Sequence, residues 1–284
     1  MTKPKAPAPK FTLSPDDLVL LHWLDEWRLA SVPLIAALRD TTMQAVYYRL
    51  KRLGTGPGGL GLIEGADVVA GWYRVFYLTR KGQARIESPY ATTTPQLSRI
   101  AHDLAVAEVC GVRGTLAGWG AITSERAIAR EVYLWRTDLQ AQQREWEKRQ
   151  RRRESGPAVP PKPGTVGPWV GLPGGRTHTP DSVIRRDEDG SLIALEVELS
   201  MKDDRRIREI LTAFANDDRF VKVLYYTSSE AIAKKIKAIT ADINATAINT
   251  GEGGTVQVRT HLYTPAHSTK YTPPPKKETA GDAA

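Results

Sequence analysis

The spacing of apolar residues changes several times along this chain, and each change marks an element. In SPDDLVLLHWLDEW, Leu18, Leu20, Leu21, Trp23 and Leu24 make a broad apolar side at helical spacing. Ser14 suits the cap, Pro15 the first helical position, and Asp16 and Asp17 the positive end of the helix dipole. SVPLIAALR predicts a short second helix with Ser31 as its cap. TTMQAVYYRLKRLG predicts a third, capped by Thr41 or Thr42 and stopped by Gly54. LIE and WYRVFYLT then read as the two strands of a hairpin. Residues 12–90 therefore form one unit of three short helices and a hairpin.

A second unit spans residues 96–265. It opens on LSRIAHDLAVAEVCGV, an amphipathic helix marked by Ile100, Leu104, Val106, Ala107 and Val109. GWGAITSERAIARE gives a strand at Ala121–Ile122, and YLWRTDLQAQQREWEKRQRRRESG a strongly charged helix. A basic insertion at residues 144–176 follows, whose Pro/Gly-rich PAVPPKPGTVGPWVGLPGG reads as a loop unable to pack as a regular element. THTPDSVIRRD is a strand, Asp189–Gly190 a tight turn, and SLIALEVELS the returning strand. Helix (203–217), strand, helix and the strand VQVRTHLY complete the order α-β-β-β-α-β-α-β, without an internal repeat.

Composition narrows the function. Of 284 residues, 40 are Lys or Arg and 32 Asp or Glu, and the net charge of +8 suits a polyanionic partner. The lone Cys110 excludes an intramolecular disulfide and a thiolate-rich zinc site, and points to a reducing cytoplasm. In LAVAEVCGV it reads as a small buried hydrophobe. No stretch reaches the roughly 18 apolar residues of a membrane span. The ends, 1–11 and 266–284, read as disordered tails, and MTKPKAPAPKF lacks the apolar core of a secretory signal.

The chemistry concentrates in HTPDSVIRRDEDGSLIALEVELSMK. Leu195, Val197 and Leu199 point to one strand face, and Glu196, Glu198 and Ser200 to the other, about 6.6 Å apart per step. The Asp189–Gly190 turn brings Asp181 near Glu196. Three oxygen donors on one sheet face are what a hard cation such as Mg2+ or Mn2+ requires. The competing reading is an exposed acidic strand face that water solvates. His102 reads as a capping or core histidine, and His178 stands near the acids with no role that the pattern demands.

LxRLxxxGLI…YxLTxKG resembles the winged helix-turn-helix family. Leu50, Arg52 and Leu53 end its recognition helix, Leu62–Ile63 start its wing, and Leu78, Thr79, Lys81 and Gly82 close it. The resemblance implies that the third helix enters the major groove of double-stranded DNA. Gln44, Tyr48, Arg49, Lys51 and Arg52 are then the contact residues, with Arg74 and Lys81 from the hairpin and its exit. The plainer alternative makes Val46, Tyr47 and Leu50 core and the basic residues a solvated face.

Pro180–Asp181, with Glu196–Val197–Glu198 across a hairpin, is similar to the PD-(D/E)xK nuclease superfamily. That resemblance implies metal binding by Asp181, Glu196 and the Val197 carbonyl, with Glu125 as an upstream acid. Glu198 stands where the motif has lysine, and Lys202, or Arg205, Arg206 or Arg208, is the substitute. The joint order of HDLAVAEV, SERAIARE, HTPDSVI and LEVELS resembles the replication-relaxation family of bacterial mobile elements. The expected fold is thus α+β or α/β: an N-terminal winged helix-turn-helix, then a restriction-endonuclease-like α-β-β-β-α-β domain. The implied function is DNA binding in replication, relaxation or mobilisation of a plasmid, phage or integrative element. Metal-dependent phosphodiester hydrolysis would use Asp181, Glu196, Glu198, Lys202 and Glu125. A non-enzymatic transcription or copy-number regulator is the alternative, and an adaptor for an acidic protein a third. Other replication proteins and a second copy are expected partners.

Overall fold

The computed structural model describes residues 12–67, 74–92, 94–111, 120–152, 167–251 and 253–263. The expected tails, the hairpin tip and residues 153–166 of the Pro/Gly-rich insertion lie outside the described residues.

Helix α1 (Pro15–Trp27) begins as its sequence dictates. The Asp17 carboxylate accepts from the Ser14 backbone N–H at 2.7 Å, and the Ser14 hydroxyl accepts from the Asp17 N–H at 3.3 Å, a reciprocal cap. A two-residue strand β1 (Ala30–Ser31) leads into α2 (Val32–Leu38) and α3 (Met43–Leu53), which Thr42 caps. Gly54 ends α3 at φ −73°, so left-handed geometry is not the reason for glycine there. A Cβ would sit 2.9 Å from the Leu50 carbonyl oxygen, closer than packing allows. Strands β2 (Ile63–Ala66) and β3 (Val75–Leu78) pair antiparallel with Ile63 opposite Leu78, and β1 adds to β3, giving the order β1-β3-β2. A short helix α4 (Arg80–Arg85) follows.

Helix α5 (Ile100–Gly111) leads to β4 (Ala121–Ser124) and α6 (Glu125–Arg151), whose 27 residues span about 40 Å. After β5 (Val170–Leu172) and β6 (Arg176–His178) come β7 (Ser182–Arg185), β8 (Leu192–Glu198), α7 (Asp204–Ala215), β9 (Phe220–Thr227), α8 (Glu230–Thr250) and β10 (Val258–Leu262). The five-stranded sheet runs β10-β9-β8-β7-β4, parallel on the β8-β9-β10 side and antiparallel on the β8-β7-β4 side. The chain is a mixed α+β protein: N-terminal helices with a small antiparallel sheet, then a five-stranded mixed sheet flanked by helices. No helix among the described residues is long and apolar enough to cross a membrane.

Three expectations change. The stretch THTPDSVIRRD is two strands, because β6 leaves the main sheet to pair with β5 as a separate ribbon. The Pro/Gly-rich segment is not loop throughout: Trp169, Val170 and Leu172 are buried against α7 and the sheet. Helix α5 is buried nearly all round rather than on one side, because α1 and β1 cover the side that the sheet does not. One core accordingly joins Leu21, Leu24 and Ile35 of the N-terminal helices to Leu104 and Val109 of α5 and to Leu195 and Val197 of β8. A second core, on the opposite sheet face, joins Ala194 and Tyr225 to Ile207, Phe214 and Ile236.

Candidate functional site

Two places hold the residues singled out above. The first is the outer face of α3. Val46, Leu50 and Leu53 turn inward, which leaves Gln44, Lys51 and Arg52 exposed and Tyr48 65% exposed. Arg49 faces elsewhere: its guanidinium pairs with the fully buried Asp17 of α1 and donates to the Ser14 hydroxyl at 3.1 Å. Arg74 lies along the hairpin, donating to the Gly65 carbonyl at 2.9 Å, and Lys81 is exposed on α4.

The second place is the end of the sheet where β7 begins and β8 finishes. Strand β8 is central and covered on both faces, so Glu196 and Glu198 are only 3% and 4% exposed instead of solvated. Each expected acid has its own partner. Asp181 lies 3.0 Å from His102 Nε2 and accepts from the Val197 backbone N–H at 2.7 Å. Glu196 lies 2.6 Å from His178 Nε2, and Glu198 2.6 Å from Lys202 Nζ. The Glu125 backbone N–H donates to the Asp181 carbonyl at 3.0 Å, while its carboxylate turns to Arg28 at 2.8 Å and Arg99 at 3.2 Å. His102, Asp103, Glu125 and Asp181 line one small pocket beneath Trp27.

Burial and mutual charge set the protonation of this cluster. Burial alone would depress both histidines. The hydrogen bond and charge of Asp181 outweigh it at His102, as those of Glu196 do at His178, so both are raised above the ordinary imidazole value. Burial raises Glu196, against the pull of His178, and Asp181 adds to the rise. Asp181 itself is held below the ordinary carboxylate range: His102 and the Val197 N–H overcome its burial. Lys202 is raised because Glu198, with Glu196 and Asp181 behind it, overrides its desolvation. Burial and the same three acids push up Tyr225, which stands opposite Glu196 on β9. Burial likewise raises the Cys110 thiol, the inert state expected of it.

The donor chemistry suits Mg2+ or Mn2+, and each acid is also held by a partner from the chain itself. The Asp181 oxygens are engaged by an imidazole and a backbone N–H, Glu196 by a second imidazole, and Glu198 by an ammonium. Among the described residues no three His, Cys, Asp or Glu side chains are grouped to hold a metal ion. These partners relieve part of the acids' mutual repulsion.

Asp181, Glu196, Glu198 and Lys202, grouped on the sequence pattern, stand close enough in the fold for their charges to act on one another. That pattern gave His102 and His178 no part in the cluster, although His178 stands three residues before Asp181. Nor did it show Tyr225, whose approach depends on a parallel pairing across α7. No family model, no curated protein and no solved structure matches this chain.

Proposed function

We propose that this chain is a cytoplasmic DNA-binding protein of a bacterial mobile element, acting in its replication, relaxation or mobilisation. On this reading the N-terminal unit is a winged helix-turn-helix, and the sheet unit a restriction-endonuclease-like domain. One observation carries the reading: α3 presents Gln44, Tyr48, Lys51 and Arg52 on an exposed face while its apolar residues and Arg49 anchor it inward. Glutamine reads adenine, arginine reads guanine, and lysine grips phosphate. The net charge of +8 supports the same partner. Lys51→Ala/Arg52→Ala weakens duplex binding and lowers the salt slope by about 2 if both side chains meet phosphate. Unchanged anisotropy titrations of a labelled duplex with that variant would sink the reading. Binding that discriminates between sequences marks a transcription or copy-number regulator, and indifference to sequence a backbone clamp.

A second reading, metal-dependent phosphodiester hydrolysis at Asp181 and Glu196, is favoured by Lys202. Its ammonium reaches the acids from the position expected of a displaced motif lysine. A divalent ion there has to displace His102 and His178 from the acids they hold. Calorimetric Mn2+ titration of the wild type beside Glu196→Ala tests it, followed by nicking of supercoiled plasmid. Equal heats, or equal nicking by Asp181→Ala, rule out this site.

A further inference from the structure

We propose that the cleft between α7 and the β5–β6 ribbon is a second nucleic-acid contact, an arginine-lined seat for a backbone phosphate separate from the α3 face. The inference rests on the reading of the chain as nucleic-acid-binding, and goes beyond it by assigning a surface on the sheet unit.

Helix α7 buries Ile207, Ile210, Leu211 and Phe214, which turns Arg205 and Arg208 outward and leaves Arg206 half-buried. Arg176 on β6 faces them. Three guanidiniums then share one carboxylate: Glu209 lies 3.0 Å from Arg176, 3.8 Å from Arg205 and 3.7 Å from Arg206. Arg208 pairs with Asp242 at 2.5 Å. Asp217, which also lines the cleft, pairs with Arg219 at 2.6 Å, so five arginines stand against three acids around it.

Donors are in excess as well. A guanidinium carries five N–H groups, and one carboxylate cannot satisfy three of them. Arg206 Nη1 is buried and has no hydrogen-bond partner among the described residues. That nitrogen lies 3.7 Å from Glu209, the carboxylate that Arg176 and Arg205 also approach. Arg205, Arg208, Glu209 and Asp217 line a cleft of about 560 Å³ with Gly171, Pro173 and Thr212, and Arg176 stands beside it through Glu209. The cluster is built of arginine, whose planar fork meets phosphate oxygens in pairs where lysine offers a point charge.

Its position gives it a use. Arg176 and His178 share one face of β6, about 6.6 Å apart along the strand, and His178 holds Glu196. A phosphate seated against Arg176 and Arg205 carries its strand past the carboxylate cluster.

The test uses the full chain and anisotropy titrations of a labelled mixed-sequence duplex across a series of salt concentrations. Arg176→Gln/Arg205→Gln weakens binding about tenfold and lowers the salt slope by about 1–2. Arg205→Gln alone, at a highly exposed side chain, lowers it by up to about 1 with the melting temperature unmoved. Glu209→Gln removes the shared internal acid and tightens binding, a gain that a merely structural ion pair does not produce. Unchanged slopes in both arginine variants, or weaker binding by Glu209→Gln, overturn the phosphate seat. If Lys51→Ala/Arg52→Ala still loses affinity in that case, the α3 reading stands alone. If the α7 variants lose affinity and the α3 variant does not, the seat stands and the α3 reading falls.

Discussion

A carboxylate as deeply buried as Glu196 persists only beside a group that shares its proton or its charge, and His178 is that group. Removing one member of such a pair strands the other without water. His178→Ala is therefore expected to cost about 3–5 kcal/mol, read from urea denaturation in metal-free buffer, and adding Glu196→Gln should return most of it. A pair that merely decorated the surface would show neither the loss nor the rescue. The pH dependence has a definite sign. His178 and His102 are raised in the folded state, so their contribution is whole below the ordinary imidazole value of 6.5 and disappears as pH climbs through the folded values. Glu196, also raised, gives way in the same direction from a lower starting pH. Asp181 is depressed and works the other way, losing its share only as pH falls below the usual carboxylate range. Stability should thus decline from about pH 6 towards pH 8. The double variant should keep only the part of that decline owed to His102.

At the scale of single elements, α3 divides its basic residues between two jobs. Arg49 neutralises Asp17, which is wholly buried and also closes the cap of α1, whereas Lys51 points outward. Arg49→Ala is expected to lower stability by about 2–4 kcal/mol with little change in duplex affinity. Lys51→Ala should do the reverse, and melting curves beside anisotropy titrations separate the two. The sequence grouped both residues as DNA contacts because helical spacing marks an outer face but not which outer residue meets a neighbouring helix. Local signals were otherwise readable: the Ser14–Asp17 cap, the Thr42 cap and the Asp189–Gly190 turn all act within a few residues. What stayed hidden depends on distant chain. Trp169 is buried within a Pro/Gly-rich stretch because it packs against Trp135 of α6, with ring centroids 5.9 Å apart. The burial of the strand face carrying Glu196 was not legible from its own pattern, because α7 and α8, the helices that cover it, follow it in sequence.

Across the whole molecule, α5 joins the two units. Its residues fill the same core as the N-terminal helices on one side and β8 on the other, so the α3 face is held in a fixed relation to the acid cluster. Polar ties cross the same junction: Arg28 reaches Glu125, Arg126 reaches the Asp25 carbonyl, and Gln83 reaches the Asp25 carboxylate at 3.0 Å. A shared core predicts shared unfolding. Far-UV ellipticity and tryptophan fluorescence, the latter reporting from Trp23 and Trp27 in one unit and from Trp135 and Trp169 in the other, should trace a single transition in urea. Gly111, the last residue of α5, offers a way to strain the junction. A Cβ there would come 2.7 Å from the Trp23 ring, whose indole N–H donates to the Gly111 carbonyl at 3.4 Å. Gly111→Ala is expected to cost about 1–3 kcal/mol by overpacking and to shift both signals together. Two separate transitions, with the two signals no longer coinciding, would mean that the units unfold independently. A duplex gripped by α3 would then have no fixed path to the arginines of α7.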